Sequence, residues 1–120
     1  MGAKCFNQVL VWQKAHQLTL NVYRYTDGFP RREIYCLISQ MRRAMISVPA
    51  NIAEGFKKKG KADKLRYMNI AQGSLEESRY YLILAGDLGY GNSENLLFSL
   101  EEVSRLLEGY IQGIIKNMGT

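Results

Sequence analysis

The chain has 120 residues, 47% of them hydrophobic and 22% charged, which suits one domain that buries a core without staples and is too apolar for disorder. No apolar run approaches the roughly 18–20 residues that cross a bilayer, and the start Met1-Gly2-Ala3-Lys4-Cys5-Phe6 lacks a signal-peptide core and a myristoylation hydroxyl, so the expectation is a cytoplasmic protein without a membrane partner. The net charge of +5 favours acidic partners, while one histidine (His16) and two widely spaced cysteines (Cys5, Cys36) exclude a disulfide framework, a zinc knuckle and a His-based catalytic centre, so no enzyme activity, metal or cofactor is expected.

Val11, Ala15, Leu18, Val22 and Tyr25 recur at three- and four-residue spacing, with Lys14, Gln17, Asn21 and Arg24 opposite, which predicts an amphipathic helix over about 9–26. Asp27-Gly28-Phe29-Pro30 stops it. Pro30 suits the start of a second helix over about 31–55, whose stripe is Ile34, Leu37, Ile38, Met41, Met45, Val48 and Ile52, with Gly55 as its end. Pro49 falls inside that stripe, removes one backbone hydrogen bond and predicts a kink near residues 45–46.

A third helix is expected over about 62–87, with Tyr67, Ala71, Ser74, Ser78, Tyr81, Ala85 and Leu88 inward and Met68, Leu75 and Leu82 beside them. Leu88-Gly89-Tyr90-Gly91-Asn92 reads as a turn, and Ser93 as the N-cap of a fourth helix over about 93–117. In that helix Leu96, Leu100, Val103, Leu107, Tyr110, Ile114 and Met118 point inward, and Glu101, Glu102, Arg105, Glu108 and Gln112 outward. With no strand alternation and short turns, the fold class is all-α, an antiparallel up-down-up-down four-helix bundle in a single domain.

Two surface features stand out. Opposite its core stripe, the second helix carries Tyr35, Cys36, Ser39, Ile46, Ala50 and Ala53 with few charges, and the third carries Leu65, Tyr80, Ile83 and Leu84 outward. A broad core with harmless exposed apolar residues is one reading; a self-association interface using Tyr35, Ser39, Ile46, Ala50 and Ala53 is the preferred one. Gly109 and Gly113 form a GxxxG step, a weak signal outside a membrane. The charge is also localised. From Arg31 to Arg66, ten basic residues (Arg31, Arg32, Arg42, Arg43, Lys57, Lys58, Lys59, Lys61, Lys64, Arg66) face three acids (Glu33, Glu54, Asp63), so the excess positive charge all lies in the middle third. Clustered lysines repel one another until phosphates relieve them, which makes Lys57, Lys58, Lys59, Lys61, Lys64 and Arg66 the candidate nucleic-acid-binding site. Arg42 and Arg43 either extend that surface or bridge subunits.

The run Gln40-Met41-Arg42-Arg43-Ala44, the block Ser47-Val48-Pro49-Ala50-Asn51-Ile52-Ala53-Glu54-Gly55, and Ile70-Ala71-Gln72-Gly73-Ser74-Leu75-Glu76-Glu77 with Leu88-Gly89-Tyr90 resemble the signature of the four-helix-bundle proteins encoded in 23S ribosomal RNA intervening sequences. Val11-Trp12-Gln13-Lys14-Ala15 and Phe29-Pro30 with Glu33, Tyr35 and Leu37 fit the same pattern, so the likeness spans about 9–90. The resemblance implies an up-down bundle, assembly into a ring, commonly a homopentamer, and no enzymatic activity. A related branch, the accessory proteins of diversity-generating retroelements, implies an alternative role as an adaptor for a reverse transcriptase and its RNA. The chain departs from the family after Glu54-Gly55, where Phe56-Lys57-Lys58-Lys59-Gly60-Lys61 replaces the usual Arg and Ser, leaving Asp63 as the substitute N-cap.

Within the motif, Asn51 and Glu54 lie just past Pro49, and Gly73 and Ser74 are placed to let the second and third helices approach. A hydrogen-bonded helix contact is the simpler account, a small pocket the other. Glu76 and Glu77 are adjacent rather than facing, unlike an acid–base pair.

Overall fold

The computed structural model describes residues 2–117. Within them four long helices form, α1 (Leu10–Thr26), α2 (Ser39–Lys57), α3 (Lys61–Asp87) and α4 (Glu94–Asn117), and no strands. A 3₁₀ turn, Phe6–Gln8, precedes α1. The expected second helix starts in another way: Arg31–Glu33 is a 3₁₀ turn and Ile34–Ile38 a π-helical turn before α2 begins. The wider i→i+5 spacing of a π turn rotates Ile34 off the α-helical stripe, so it is 40% exposed while Leu37 and Ile38 are buried. The expected Met118 contact lies outside the described residues.

Each helix packs on two others, α1 and α3 both lying against α2 and α4. Residue pairs give the sense of each seam. Ser47 meets Ser74 and Gly55 meets Met68 across α2 and α3. Arg79 meets Glu101 and Gln72 meets Glu108 across α3 and α4. Tyr25 meets Gly91, and Lys14 meets Glu102, where α1 faces the start of α4. In the α2–α3 and α3–α4 seams, numbers rise along one partner as they fall along the other, and the same holds between α1 and α4.

The core follows the apolar periods: Val11, Ala15, Leu18 and Val22 from α1, Met41, Met45, Val48 and Ile52 from α2, and Leu100, Val103, Leu107, Ile111 and Ile114 from α4. In α3 the buried set is Met68, Ala71, Leu75, Ser78, Leu82 and Ala85, an alternation of large and small side chains. The stripe is rotated slightly from the expected one, so Tyr67, Ser74 and Tyr81 flank the seam and Leu88 is exposed. Buried hydroxyls are satisfied locally: Thr19 and Thr26 donate to Ala15 O and Val22 O one turn back. No buried side-chain polar atom lacks a partner among the described residues.

The termini show how sequence stops helices. At the end of α3 the Tyr90 N–H reaches Ala85 O and the Gly89 N–H reaches Gly86 O, with Gly89 at φ +79°, a left-handed C-cap that glycine adopts without a Cβ clash. At the start of α4, Ser93 holds the expected N-cap position, its carbonyl accepting the Leu97 N–H, while the side-chain hydrogen bond comes from Asn92, whose Oδ1 accepts the Glu94 N–H at 2.9 Å. Ser93 is buried and donates its hydroxyl to Leu82 O in α3 instead. Gly55 does not end α2, which continues to Lys57 and passes through the buried Pro49.

Candidate nucleic-acid interface

One end of the bundle gathers the end of α2, the start of α3, the start of α1 and the end of α4. Here Lys57 is the last residue of α2, Lys58, Lys59 and Gly60 form the link, and Lys61 opens α3. Gly60, the N-cap of α3, offers no side chain to accept from the first-turn N–H groups, and Asp63 lies inside that turn, so the expected Asp63 cap is not made. The helix N-terminus, a partial positive charge, is therefore flanked by lysines and offset by one first-turn carboxylate, Asp63, with no side chain at the cap position to accept a hydrogen bond.

The cations here divide into two kinds. Lys64 Nζ donates to Phe56 O at 2.7 Å and lies 3.5 Å from Gly55 O, closing the last carbonyls of α2, and burial pulls its ammonium below the ordinary lysine range. Its role is to hold the link. Arg66 pairs loosely with Asp63 at 3.5 Å, both side chains well exposed. By contrast Lys57, Lys58, Lys59 and Lys61 form no ion pair with any carboxylate among the described residues. Lys58 Nζ lies 5.2 Å from the centre of the Tyr67 ring and the Arg66 guanidinium 4.8 Å from it.

Arg42 and Arg43 do not join this cluster. They sit some fifteen residues before Lys57 on α2, about 22 Å along a helix that rises 1.5 Å per residue. The Arg42 guanidinium is spent inside the chain: it donates to Thr26 Oγ1 and Asp27 Oδ1 at 2.9 Å and to Tyr23 O at 3.3 Å, and stacks on the Tyr23 ring at 4.4 Å. It caps the C-terminal end of α1. Arg43 donates to Gln40 Oε1 on the outside of α2.

The motif residues resolve into a bridge and a close approach. Asn51 Nδ2 donates to Ser47 O and Ser47 Oγ at 2.8 and 2.9 Å, and Ser74 Oγ donates to Ser47 Oγ at 2.8 Å, joining α2 to α3 beside Pro49. The sequence points to both ends of this bridge but not to Ser47 between them, although its i, i+4 spacing from Asn51 is a usable signal. Glu54 is exposed and takes no part. A Cβ on Gly55 would lie 2.5 Å from Met68 Cε and 2.8 Å from Tyr67 Cβ, so glycine there lets α3 close on α2. Gly73 does not: a Cβ added there would meet nothing within 4 Å.

On the candidate self-association face Tyr35 is 91% and Ile46 44% exposed, Ser39 and Ala50 are exposed, and Ala53 is half-buried. Tyr80 and Ile83 of α3 are also exposed. Glu76 pairs with Arg79, and Glu77 accepts from the Tyr81 hydroxyl, which raises that tyrosine's pKa. His16 stacks on Trp12 at 4.9 Å. Among the described residues no group of His, Cys, Asp and Glu is placed to hold a metal ion, and no helix is long and apolar enough to cross a membrane.

Fold and surface thus define a small four-helix bundle with a lysine-rich end. The chain belongs to the 23S rRNA-intervening sequence protein family, whose model matches residues 7–109. Its fold is similar to that of a Bacteroides thetaiotaomicron protein of unknown function from the S23 ribosomal protein family, with a TM-score of 0.78 and 23% identity over 86% of this chain and 96% of that one. No curated protein matches it.

Proposed function

We propose that the protein is a non-enzymatic, self-assembling RNA-associated bundle whose lysine-rich end contacts the phosphate backbone. The observation that carries this reading is the set of four lysines, Lys57, Lys58, Lys59 and Lys61, which pair with no carboxylate among the described residues, at a start of α3 that has no side-chain cap. Such a cluster raises the chain's own electrostatic energy and is relieved when phosphates displace counterions. Membership of a family named for intervening sequences in 23S rRNA agrees with RNA as the polyanion. A ring of copies, five by the family resemblance, built on the Tyr35, Ile46 and Ala50 face would multiply weak contacts through effective concentration.

The test is electrophoretic or anisotropy binding to RNA as salt rises from about 50 to about 200 mM, where affinity should fall by orders of magnitude. Changing Lys57, Lys58, Lys59 and Lys61 together to glutamine should abolish binding while leaving the helical circular dichroism intact. Unchanged RNA affinity in that variant rules out the loop as the contact. A second reading, an adaptor docking a reverse transcriptase, is favoured by the exposed Tyr80 and Ile83 on α3, apolar groups the bundle itself does not use.

A further inference from the structure

A loop that served only to keep the chain dissolved would extend its charges into water. Here three cations of the basic end lie over aromatic rings instead: Lys58 and Arg66 over Tyr67, and Lys64 over Phe56 at 5.5 Å. The planar Arg66 guanidinium lies over the Tyr67 ring, its central carbon 4.8 Å from the ring centre, with one nitrogen 3.5 Å from Asp63 Oδ1, and its side chain remains 60% exposed. That exposure leaves a planar, weakly hydrated cation reachable from solvent, beside lysines that pair with no carboxylate among the described residues. An arginine plane braced on an aromatic ring is a surface on which an unpaired nucleobase stacks, and a base held in a duplex has no free face to offer it.

We propose that the basic end takes single-stranded RNA in preference to duplex, with phosphates on Lys57, Lys58, Lys59 and Lys61 and a base stacked on the Arg66–Tyr67 pair. The inference rests on the phosphate-binding reading above and adds the part of the nucleotide that the lysines cannot sense. Backbone charge alone predicts that affinity depends on phosphate number only; a stacked base adds a contribution that vanishes when the base is removed.

The experiment uses the full chain and three labelled oligonucleotides of equal length: single-stranded RNA, the same strand made abasic, and the duplex. Single-stranded RNA should bind about tenfold more tightly than the abasic strand, the gain expected of one stacked base. Arg66→Lys keeps the charge and loses the plane; on an exposed side chain it leaves the bundle folded, and it should bring the affinities for the normal and abasic strands together. Equal binding of abasic and normal strands, or tighter binding of the duplex, overturns the stacking inference and leaves the phosphate reading standing. Failure of all three to bind removes both.

Discussion

Two glycines in this chain have opposite physical meaning, and substitution separates them. Gly55 sits where a methyl group would strike Tyr67 Cβ, a rigid point on α3, at 2.8 Å. Gly55→Ala should therefore force the α2–α3 seam apart and destabilise the fold by about 1–3 kcal/mol, the usual cost of overpacking. Gly73 lies mid-helix with open space around it, so Gly73→Ala meets no clash and restricts the unfolded chain. It should stabilise by up to ~1 kcal/mol. Urea denaturation of the two variants measures both, and a stabilised Gly55→Ala would mean that the helices do not approach as described.

At the scale of elements, the end opposite the lysines is held by a long-range latch. The Tyr90 hydroxyl, in the α3–α4 turn, donates to Glu33 Oε2 at 2.6 Å, while Glu33 Oε1 accepts the Leu37 N–H at the start of the π turn. The Tyr90 hydroxyl first, and then the Leu37 N–H, hold the Glu33 carboxyl below the ordinary glutamate range. A carboxyl with a lowered native pKa binds protons less readily folded than unfolded, so its contribution is present above the ordinary value, about 4.3, and is lost as pH falls from there through the lowered native value. Tyr90→Phe should reduce stability at neutral pH and flatten the acid limb in that window. Parallel pH profiles for variant and wild type, from urea midpoints, would show that the latch carries no energy. This contact also marks where sequence reading runs out. The stripes of α1 and α4 are legible because burial repeats every three or four residues, that of α3 only to within a slight rotation, and the lysine loop because its charge is contiguous. Glu33 and Tyr90 stand 57 residues apart, the π turn hides inside an α-like pattern, and Arg42 meets Tyr23, Thr26 and Asp27 only after α1 and α2 have packed. Each depends on tertiary geometry that no local period encodes.

For the whole molecule, affinity and assembly are one question. On the proposed function, four lysines in one copy would give weak, salt-sensitive contact, and copies in a ring would present the same loop repeatedly to one strand, so that later contacts would form at high effective concentration. The face proposed for that assembly bears Ile46 and Ala50, exposed on α2 and outside the core. Changing both to glutamate places unpaired carboxylates where an apolar neighbour would sit, without touching a buried residue, so the bundle should stay folded and the assembly should break. Light scattering at micromolar concentration should then report a multiple of 13.7 kDa for the wild type and a single copy for the double variant. The variant keeps every lysine but adds two negative charges, so the share of a fall in RNA affinity of about 100-fold or more that persists with glutamine at both positions measures the lost multivalency. A wild-type mass of one copy would remove the ring, and with it the reason for an apolar outer face on α2.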